Sequence, residues 1–144
     1  MKTFLLAPAL FVLSATTAFS AQNPWVGRWK PDTAKSTFVE VEDTLIISSP
    51  AKDVLRWEYP AIKFKMQGKP DGSNMALSYP NMPTSLTESV TILTPRKLAY
   101  SVKVDGKLVQ HGTDELSADG NTLTAVSWTV GKYSKRRTEV FHRQ

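Results

Sequence analysis

The side chains that most often carry chemistry are few in this sequence, and they are not spaced for catalysis. His111 and His142 are the only histidines, cysteine is absent, and neither histidine has a metal ligand at a useful spacing. Zinc usually needs three or four Cys, His or carboxylate ligands, so we predict no metal site. His111, Thr113 and Glu115 alternate along one predicted strand, but about 7 Å separates such neighbours, which is too far for direct proton transfer.

Sequence motifs for nucleophilic catalysis and nucleotide binding are also missing. The chain has no Gly-x-Ser-x-Gly elbow, phosphate-binding loop or dinucleotide-binding glycine pattern. Asp71, Asp105 and Asp119 each precede a glycine, and turn formation explains these aspartates before carboxylate catalysis does. We therefore predict a protein that is not an enzyme, with no catalytic residue and no cofactor.

Alternating aromatic and aliphatic side chains point to small-molecule binding instead. Trp57 and Tyr59 share one face of a predicted strand, and Ile62, Phe64 and Met66 share one face of the next. Ligand pockets are usually built from such apolar walls with a few polar groups. These residues are candidates for the wall of a cavity, although the same pattern is typical of a filled core.

Two Asp-Gly pairs predict how three later strands align. A two-residue turn at Asp105-Gly106 places Tyr100 opposite His111, and the same reasoning at residues 119–120 places His111 opposite Trp128. The same registers pair Val104 with Lys107, Val102 with Val109, Thr113 with Val126, and Glu115 with Thr124. Because directly opposed residues share a face of the sheet, we predict one inner row made of Tyr100, His111 and Trp128.

The last predicted strand is expected to turn an arginine inward. A two-residue turn at residues 131–132 would pair Arg137 with Val126 and turn it inward together with Glu139, whereas a register one residue away turns Arg136 inward. A buried charge without a partner is costly. The arginine therefore needs a carboxylate such as Glu139, water, an aromatic face or a ligand.

The elements that must position these side chains are predicted to be strands throughout. No window has a helical period, and the segments with period two are rich in β-branched and aromatic residues. The predicted strands are residues 26–30, 44–48, 54–59, 62–67, 75–78, 86–93, 98–104, 107–116, 122–130 and 133–142. We predict an all-β fold, an antiparallel up-and-down meander of about 8 to 10 strands. Closure into a barrel is favoured over a sandwich because it removes exposed strand edges.

The N-terminus has the three zones of a secretory signal peptide. Lys2 is followed by an apolar stretch at residues 4–13 and by small and polar residues at 14–21. The apolar run is too short for a transmembrane helix, so we predict cleavage after Ser20, or after Ala21. Residues 1–20 are then the signal peptide and 21–144 a single domain, periplasmic or secreted, with no transmembrane span in its mature form.

The net charge is positive. Lys2 is one of 18 basic side chains, which leaves 17 in the mature domain against 13 acidic ones. Basic proteins often bind nucleic acid, but export argues against it, and we predict no nucleic-acid partner. The local excess consists of Lys132, Lys135, Arg136, Arg137 and Arg143. It is either a solvated terminal strand or a weak contact with an anionic envelope surface.

Several segments resemble the small exported bacterial proteins described as lipocalin-like, or calycin-like, which are largely uncharacterised. They are the Gly27-Arg28-Trp29 opening with residues 30–36 behind it, and the turn segments 104–107 and 117–123. In lipocalins the tryptophan plugs one barrel end beneath an arginine from near the last strand. The resemblance therefore implies a lipocalin-like barrel in which Trp29 is the plug and Arg137 or Arg143 covers it.

Together these features favour an exported carrier or sensor that binds a small apolar molecule with an anionic end inside a β-barrel. The motive is an aromatic row beside an inward arginine, since a guanidinium can hold a carboxylate through two hydrogen bonds. The alternative is a non-catalytic envelope interaction module, because narrow barrels are often filled by their own side chains. The candidate ligand-binding residues are Trp57, Tyr59, Phe64, Tyr100, His111, Trp128 and Arg137.

Overall fold

The computed structural model describes residues 22–144, and the predicted signal peptide lies outside the described residues. This part of the chain is an all-β meander with two short 3-10 helices, Pro60–Ile62 and Tyr133–Lys135. The strands are β1 (Gly27–Pro31), β2 (Leu45–Ala51), β3 (Val54–Tyr59), β4 (Phe64–Gly68), β5 (Asp71–Asn74), β6 (Ala76–Ser78), β7 (Leu86–Thr94), β8 (Lys97–Val104), β9 (Lys107–Leu116), β10 (Thr122–Thr129) and β11 (Arg137–Arg143). Neither helix within residues 22–144 is long and apolar enough to cross a membrane.

The eleven strands form one antiparallel sheet that curves into a nearly closed barrel. Strands β7 to β11 pair in chain order, β11 pairs with β1, and β1 continues through β2 and β3 to β4. The seam lies at β5 and β6, which only Met75 separates. Strand β5 pairs with β7 and β6 pairs with β4, while the Met75 backbone N–H donates to the Glu88 carbonyl at 2.8 Å. One short segment thus spans the two ends of the sheet, and the prediction of an antiparallel barrel is confirmed.

One end of the barrel is plugged by large apolar side chains. Trp25 and Trp29 are almost completely buried there, among Leu55, Leu116 and Leu123. We call this the closed end. The other end, which we call the mouth, is bordered by residues 32–44 and 79–85 and by the connection from β10 to β11. Burial of this many apolar side chains is the main force that holds the barrel together.

The turn at Asp105-Gly106 is formed as predicted, but the strands beyond it pair differently. Both residues have positive φ, 50° and 73°, as a type I′ turn requires, and Val104 pairs with Lys107. A β-bulge then leaves Val109 without a paired residue in β8. Tyr100 consequently lies opposite Gly112, and Val102 opposite Gln110. The predicted pairs of Tyr100 with His111 and of Val102 with Val109 are wrong, because one extra residue moves the rest of β9 by one position.

The turn between β9 and β10 gives the predicted pairing through a different geometry. Gly120 has positive φ but Asp119 does not, so the connection is not a type I′ turn. The Asp119 carboxylate accepts hydrogen bonds from the Ser117 hydroxyl at 2.6 Å and from the Asn121 backbone N–H at 3.0 Å. The predicted pairs of His111 with Trp128, Thr113 with Val126 and Glu115 with Thr124 are confirmed.

Strand β11 follows a longer connection than the predicted two-residue turn. A 3-10 helix at Tyr133–Lys135 shifts the register, so that Arg137 pairs with Ser127 instead of Val126. Ser127 in turn lies opposite Gly112, and therefore in the inner row with Tyr100. Arg137 and Glu139 still face inward. Their neighbours on β10 are Ser127 and Ala125 instead of the predicted Val126 and Thr124.

Candidate ligand-binding cavity

A cavity of about 710 Å³ fills the barrel above the plug and opens at the mouth. Its walls come from β2, β3, β4 and β6 on one side and from β7 to β11 on the other. Its mouth is bordered by Glu40, Glu42, Tyr79, Met82 and Pro83. The volume falls within the roughly 300–1,000 Å³ of small-molecule sites. The barrel is therefore not completely filled by its own side chains.

Aromatic rings form one wall of the cavity, as the alternation of residues 57–66 predicts. Trp57 pairs with Met66, and Tyr59 pairs with Phe64, so that all four side chains share the inner face. The rings of Tyr59 and Phe64 lie 6.1 Å apart between centroids in a tilted arrangement. Trp57, Tyr59 and Phe64 thus lie beside one interior space, and their role in ligand binding stays a prediction.

Tyr100 stands on the opposite wall, where a glycine makes room for its ring. A Cβ atom at Gly112 would overlap the ring of Tyr100, so the close approach requires glycine at this position. Gln110 Nε2 donates to the Tyr100 hydroxyl at 3.4 Å. Both Tyr100 and Gln110 line the cavity.

Carboxyl groups line the cavity, and the sequence analysis did not select them. They are Glu40, Glu42, Glu88, Asp114 and Glu139. Across the sheet Asp114 pairs with Ala125, and Ala125 with Glu139, so a small side chain separates the two acids in one inner row. Lysine, arginine and histidine are absent from the described residues that line the cavity. The charged side chains that line the cavity are thus all acidic, although residues 22–144 as a whole carry more basic than acidic side chains.

Burial changes the titration of the acids inside the barrel. It raises the pKa of Asp114 to about 7, and the nearby Glu139 contributes to that shift. Burial likewise raises the pKa of Glu88 to about 7, with help from Asp114 and Glu40. The pKa of Glu139 also rises to about 7 through burial, although the Glu40 backbone N–H, which donates to it at 3.1 Å, acts in the other direction. Such shifts in a cavity are a recognised mark of functional sites.

The hydroxyls of Tyr59 and Tyr100, two of the tyrosines that line the cavity, remain protonated at all ordinary pH values. Burial raises the pKa of Tyr59 well above its usual value of 10, and Glu139 adds to the shift. Burial also raises the pKa of Tyr100, with Asp114 as the next cause. Each hydroxyl can therefore donate a hydrogen bond to a bound molecule.

Arg137 lies at the mouth and not in the depth of the cavity. It is exposed, and its guanidinium carbon lies 4.4 Å from the centre of the Phe38 ring. A second, smaller space of about 480 Å³ adjoins it. Trp128, Lys132 and Lys135 also border that space. Basic groups thus meet the cavity only at its entrance, beside Phe38.

His111 and Trp128 do not join Tyr100 in one inner row. The bulge at Val109 puts Ser101 opposite His111, and His111 opposite Trp128, on the face away from Tyr100. The two rings lie 5.9 Å apart between centroids, and Tyr133 packs edge-on to Trp128 at 5.0 Å. His111 lines neither space within the described part of the chain. The prediction of an inner row was wrong because it assumed an unbroken ladder.

The closed end has the arrangement that the resemblance implies, with Arg143 as the arginine. Trp29 is completely buried, and the Arg143 guanidinium carbon lies 4.2 Å from the centre of its ring. Arg143 also donates three hydrogen bonds, to the carbonyls of Gly120 at 2.9 Å and of Val26 and Pro24 at 2.7 Å each. Trp29 is therefore a plug and has no contact with the cavity.

The second histidine lies at the barrel surface. His142 Nε2 is 2.8 Å from Asp32 Oδ2, and this contact is the main reason why the pKa of Asp32 lies below its usual value. Within residues 22–144 no group of His, Cys, Asp and Glu side chains is arranged to hold a metal ion.

Comparison with known proteins identifies the fold alone. No family model matches the sequence, and no curated protein matches it. The structure is similar to that of a luciferase domain from the dinoflagellate Lingulodinium polyedrum, with a TM-score of 0.58 and 13% sequence identity. The match covers 85% of this chain but 42% of that domain, so the chain spans less than half of the neighbour's length.

Proposed function

We propose that this protein is a carrier or sensor that binds a small, mainly apolar molecule inside its barrel, without catalysis. The observation that carries the proposal is the open cavity of about 710 Å³ with Trp57, Tyr59 and Phe64 along one wall. A solid barrel would leave no such space. The alternative role as an envelope interaction module needs no cavity, and the cavity therefore favours a carrier.

The sequence also favoured an anionic end on the ligand. The support for it is confined to the mouth, where Arg137, Lys132 and Lys135 border the smaller space. Below the mouth, the lining carboxyls would repel a carboxylate. We therefore base the proposed function on the apolar body of the ligand.

Export belongs to the same proposal and rests on the three zones of residues 1–20. A periplasmic or secreted location would give the carrier access to compounds that enter or leave the envelope. N-terminal sequencing of protein recovered from the envelope or the medium is expected to begin at Ala21 or Gln22. An intact Met1 in that fraction would contradict export.

The test of binding uses the neutral fluorescent probe N-phenyl-1-naphthylamine and two matched variants. Ala125 lines the cavity, whereas Ala99 lies between the inward residues Leu98 and Tyr100 and faces outward. Wild type is expected to bind the probe saturably at one site. Ala125→Phe should weaken binding about tenfold or more because the ring occupies the cavity, and Ala99→Phe should leave it unchanged. Circular dichroism melts establish that both variants are folded.

Two results would overturn the proposal. The first is a linear, unsaturable fluorescence response when the probe is added to wild-type protein freed of lipid. Alternatively, Ala125→Phe could bind as well as wild type. Either result would favour the interaction module.

A further inference from the structure

The charge inside the barrel is opposite in sign to the charge of the whole domain. The mature chain has an excess of basic side chains, yet the described residues that line the cavity include five carboxyl groups and no basic group. Glu40 and Glu42 are exposed at the mouth, whereas Glu88, Asp114 and Glu139 are partly buried, and removing a carboxyl group from water without a partner is costly. This concentration of acids needs an explanation beyond packing.

Asp114 supplies a second and independent observation. It lies within the barrel wall and lines the cavity, and its Oδ1 atom is buried without any hydrogen-bond partner among the described residues. Nearly all buried polar atoms in native proteins have a partner. Because Asp114 itself lines the cavity, a donor group bound there can supply the partner that the described residues do not.

The polar groups that a bound molecule could carry differ in how well they fit this acidic lining. A carboxylate would be repelled by Asp114, Glu88 and Glu139, and its basic partner Arg137 is exposed at the mouth. A hydroxyl group supplies one donor and no charge. A protonated amine supplies up to three donors and a positive charge, and therefore compensates both the unpaired oxygen and the excess of acids.

We propose that the cavity selects an apolar amine, whose protonated nitrogen is bound by Asp114 with Glu88 and whose apolar body lies against the aromatic wall. The inference rests on the proposed function, because it presupposes that a small molecule enters the barrel. Trp57, Tyr59 and Phe64 provide apolar contact, and aromatic faces also attract a cation directly.

The titration of the cavity supplies a readout of the same proposal. Asp114 and Glu88 have pKa values raised to about 7 by burial, so both are largely protonated at pH 5.5 and largely ionised at pH 8. Glu40 also raises the pKa of Glu88 and Glu139 that of Asp114, and Asp114 and Glu88 in turn raise the pKa of Tyr100. A primary amine stays protonated over this range, and its affinity should therefore rise with pH.

The experiment displaces bound N-phenyl-1-naphthylamine with three compounds of equal chain length: decylamine, decanol and decanoate. At pH 8, decylamine is expected to bind about tenfold or more tightly than decanol, and decanoate more weakly than decanol. Asp114→Asn and Glu88→Gln should each remove most of the preference for decylamine and leave the affinity for decanol in place. Glu115→Gln is the matched control, because Glu115 is exposed on the same strand and pairs with Lys97 at 3.6 Å.

The outcomes separate this inference from the function on which it rests. If decanol displaces the probe but decylamine is no better, or if both variants keep the wild-type preference, the amine selectivity is wrong and the carrier stands. If none of the compounds displaces the probe and the probe itself does not bind, the carrier is wrong. If Asp114→Asn does not fold, the inference is tested with Glu88→Gln and with the pH dependence of the wild type. Equal affinity of the wild type for decylamine at pH 5.5 and pH 8 would contradict the inference.

Discussion

The guanidinium of Arg143 combines several contacts at the closed end of the barrel. It lies over the buried ring of Trp29 and donates hydrogen bonds to three backbone carbonyls from two separate segments, residues 24–26 and Gly120. Hydrogen bonds from charged donors and contacts with an aromatic face each stabilise a fold by about 1–3 kcal/mol. Arg143 therefore links the segment before β1 and the β9–β10 turn to the last strand.

Replacing Arg143 with methionine is expected to lower the free energy of unfolding by about 2 kcal/mol or more, because three carbonyls lose a donor. Arg143→Lys should fall between wild type and Arg143→Met, since an ammonium group cannot reach all the positions of the guanidinium fork. Urea unfolding followed by tryptophan fluorescence measures the change. Arg28→Met, on the exposed side of β1, is the control, and an equal effect of both methionine variants would contradict this role.

Individual residues differed in how well the sequence predicted them. Trp29 could be placed because a glycine and a strand start precede it, and Trp57, Tyr59 and Phe64 because their alternation is uninterrupted. The inward position of Asp114 could not be predicted, because a carboxyl group on a strand is normally exposed. A signal was nevertheless present. Leu116 and Leu123 fall on the face of the hairpin that holds Asp114, and both are buried.

Among the strands, the extra residue Val109 decided which of the predicted strand pairings were correct. Ladder pairing propagates from a turn only while the ladder is regular, and the bulge at Val109 reversed the faces of β9 relative to β8. The Val109 carbonyl still has a hydrogen-bond partner, because the backbone N–H of Val130, directly after β10, donates to it at 3.0 Å. Nothing in the local sequence distinguishes this bulge from a continued strand.

Strand β5 was missed for a different reason. Its residues Asp71–Asn74 are all exposed and polar, and Gly72 has a φ of 91°, so the segment has the composition of a turn. It is a strand because β7 offers it a free edge. The meander could be predicted from hydrophobic alternation and its closure from the cost of exposed strand edges, whereas β5, the polar strand that pairs with β7 at the seam, could not.

The packing between β8 and β9 can be tested at Gly112. Gly112→Ala is expected to destabilise the protein by about 1–3 kcal/mol, because the new methyl group overlaps the Tyr100 ring and the ring must move into the cavity. Urea unfolding of Gly112→Ala, Tyr100→Ala and the double variant forms a thermodynamic cycle. We expect the double variant to be more stable than the sum of the single effects by about 1 kcal/mol or more. Simple additivity would show that the two residues are not in contact.

For the whole molecule, the basic surface and the acidic interior have separate roles. The surface charge keeps the domain away from zero net charge, which favours solubility. The interior acids cost stability instead, since Asp114, Glu88 and Glu139 titrate near 7 in the folded protein. Proteins commonly hold such costly groups at functional sites, which is consistent with a cavity built to bind.

The interior acids predict an unusual dependence of stability on pH. Asp114, Glu88 and Glu139 have folded pKa values of about 7, above their ordinary values of 3.8 and 4.5. Between about pH 4.5 and pH 7 the folded state therefore binds more protons than the unfolded state, and the free energy of unfolding must fall as pH rises through this range. Since one pKa unit corresponds to about 1.4 kcal/mol, we expect a decrease of about 2 kcal/mol or more between pH 5 and pH 8.

Urea unfolding of the ligand-free protein at pH 5, 6, 7 and 8 measures this slope. The double variant Asp114→Asn/Glu88→Gln should show a flatter profile and should exceed wild type in stability at pH 8, because it carries no charge to bury. Glu115→Gln should keep the wild-type slope, since Glu115 is exposed. The surface pair of Asp32 and His142 acts in the opposite direction at low pH, because the lowered pKa of Asp32 adds stability that is lost only in acid. A wild-type profile that is flat or rises from pH 5 to pH 8 would show that the interior carboxyls are ionised at no cost, and the cavity would then lack the electrostatic demand that an amine is proposed to meet.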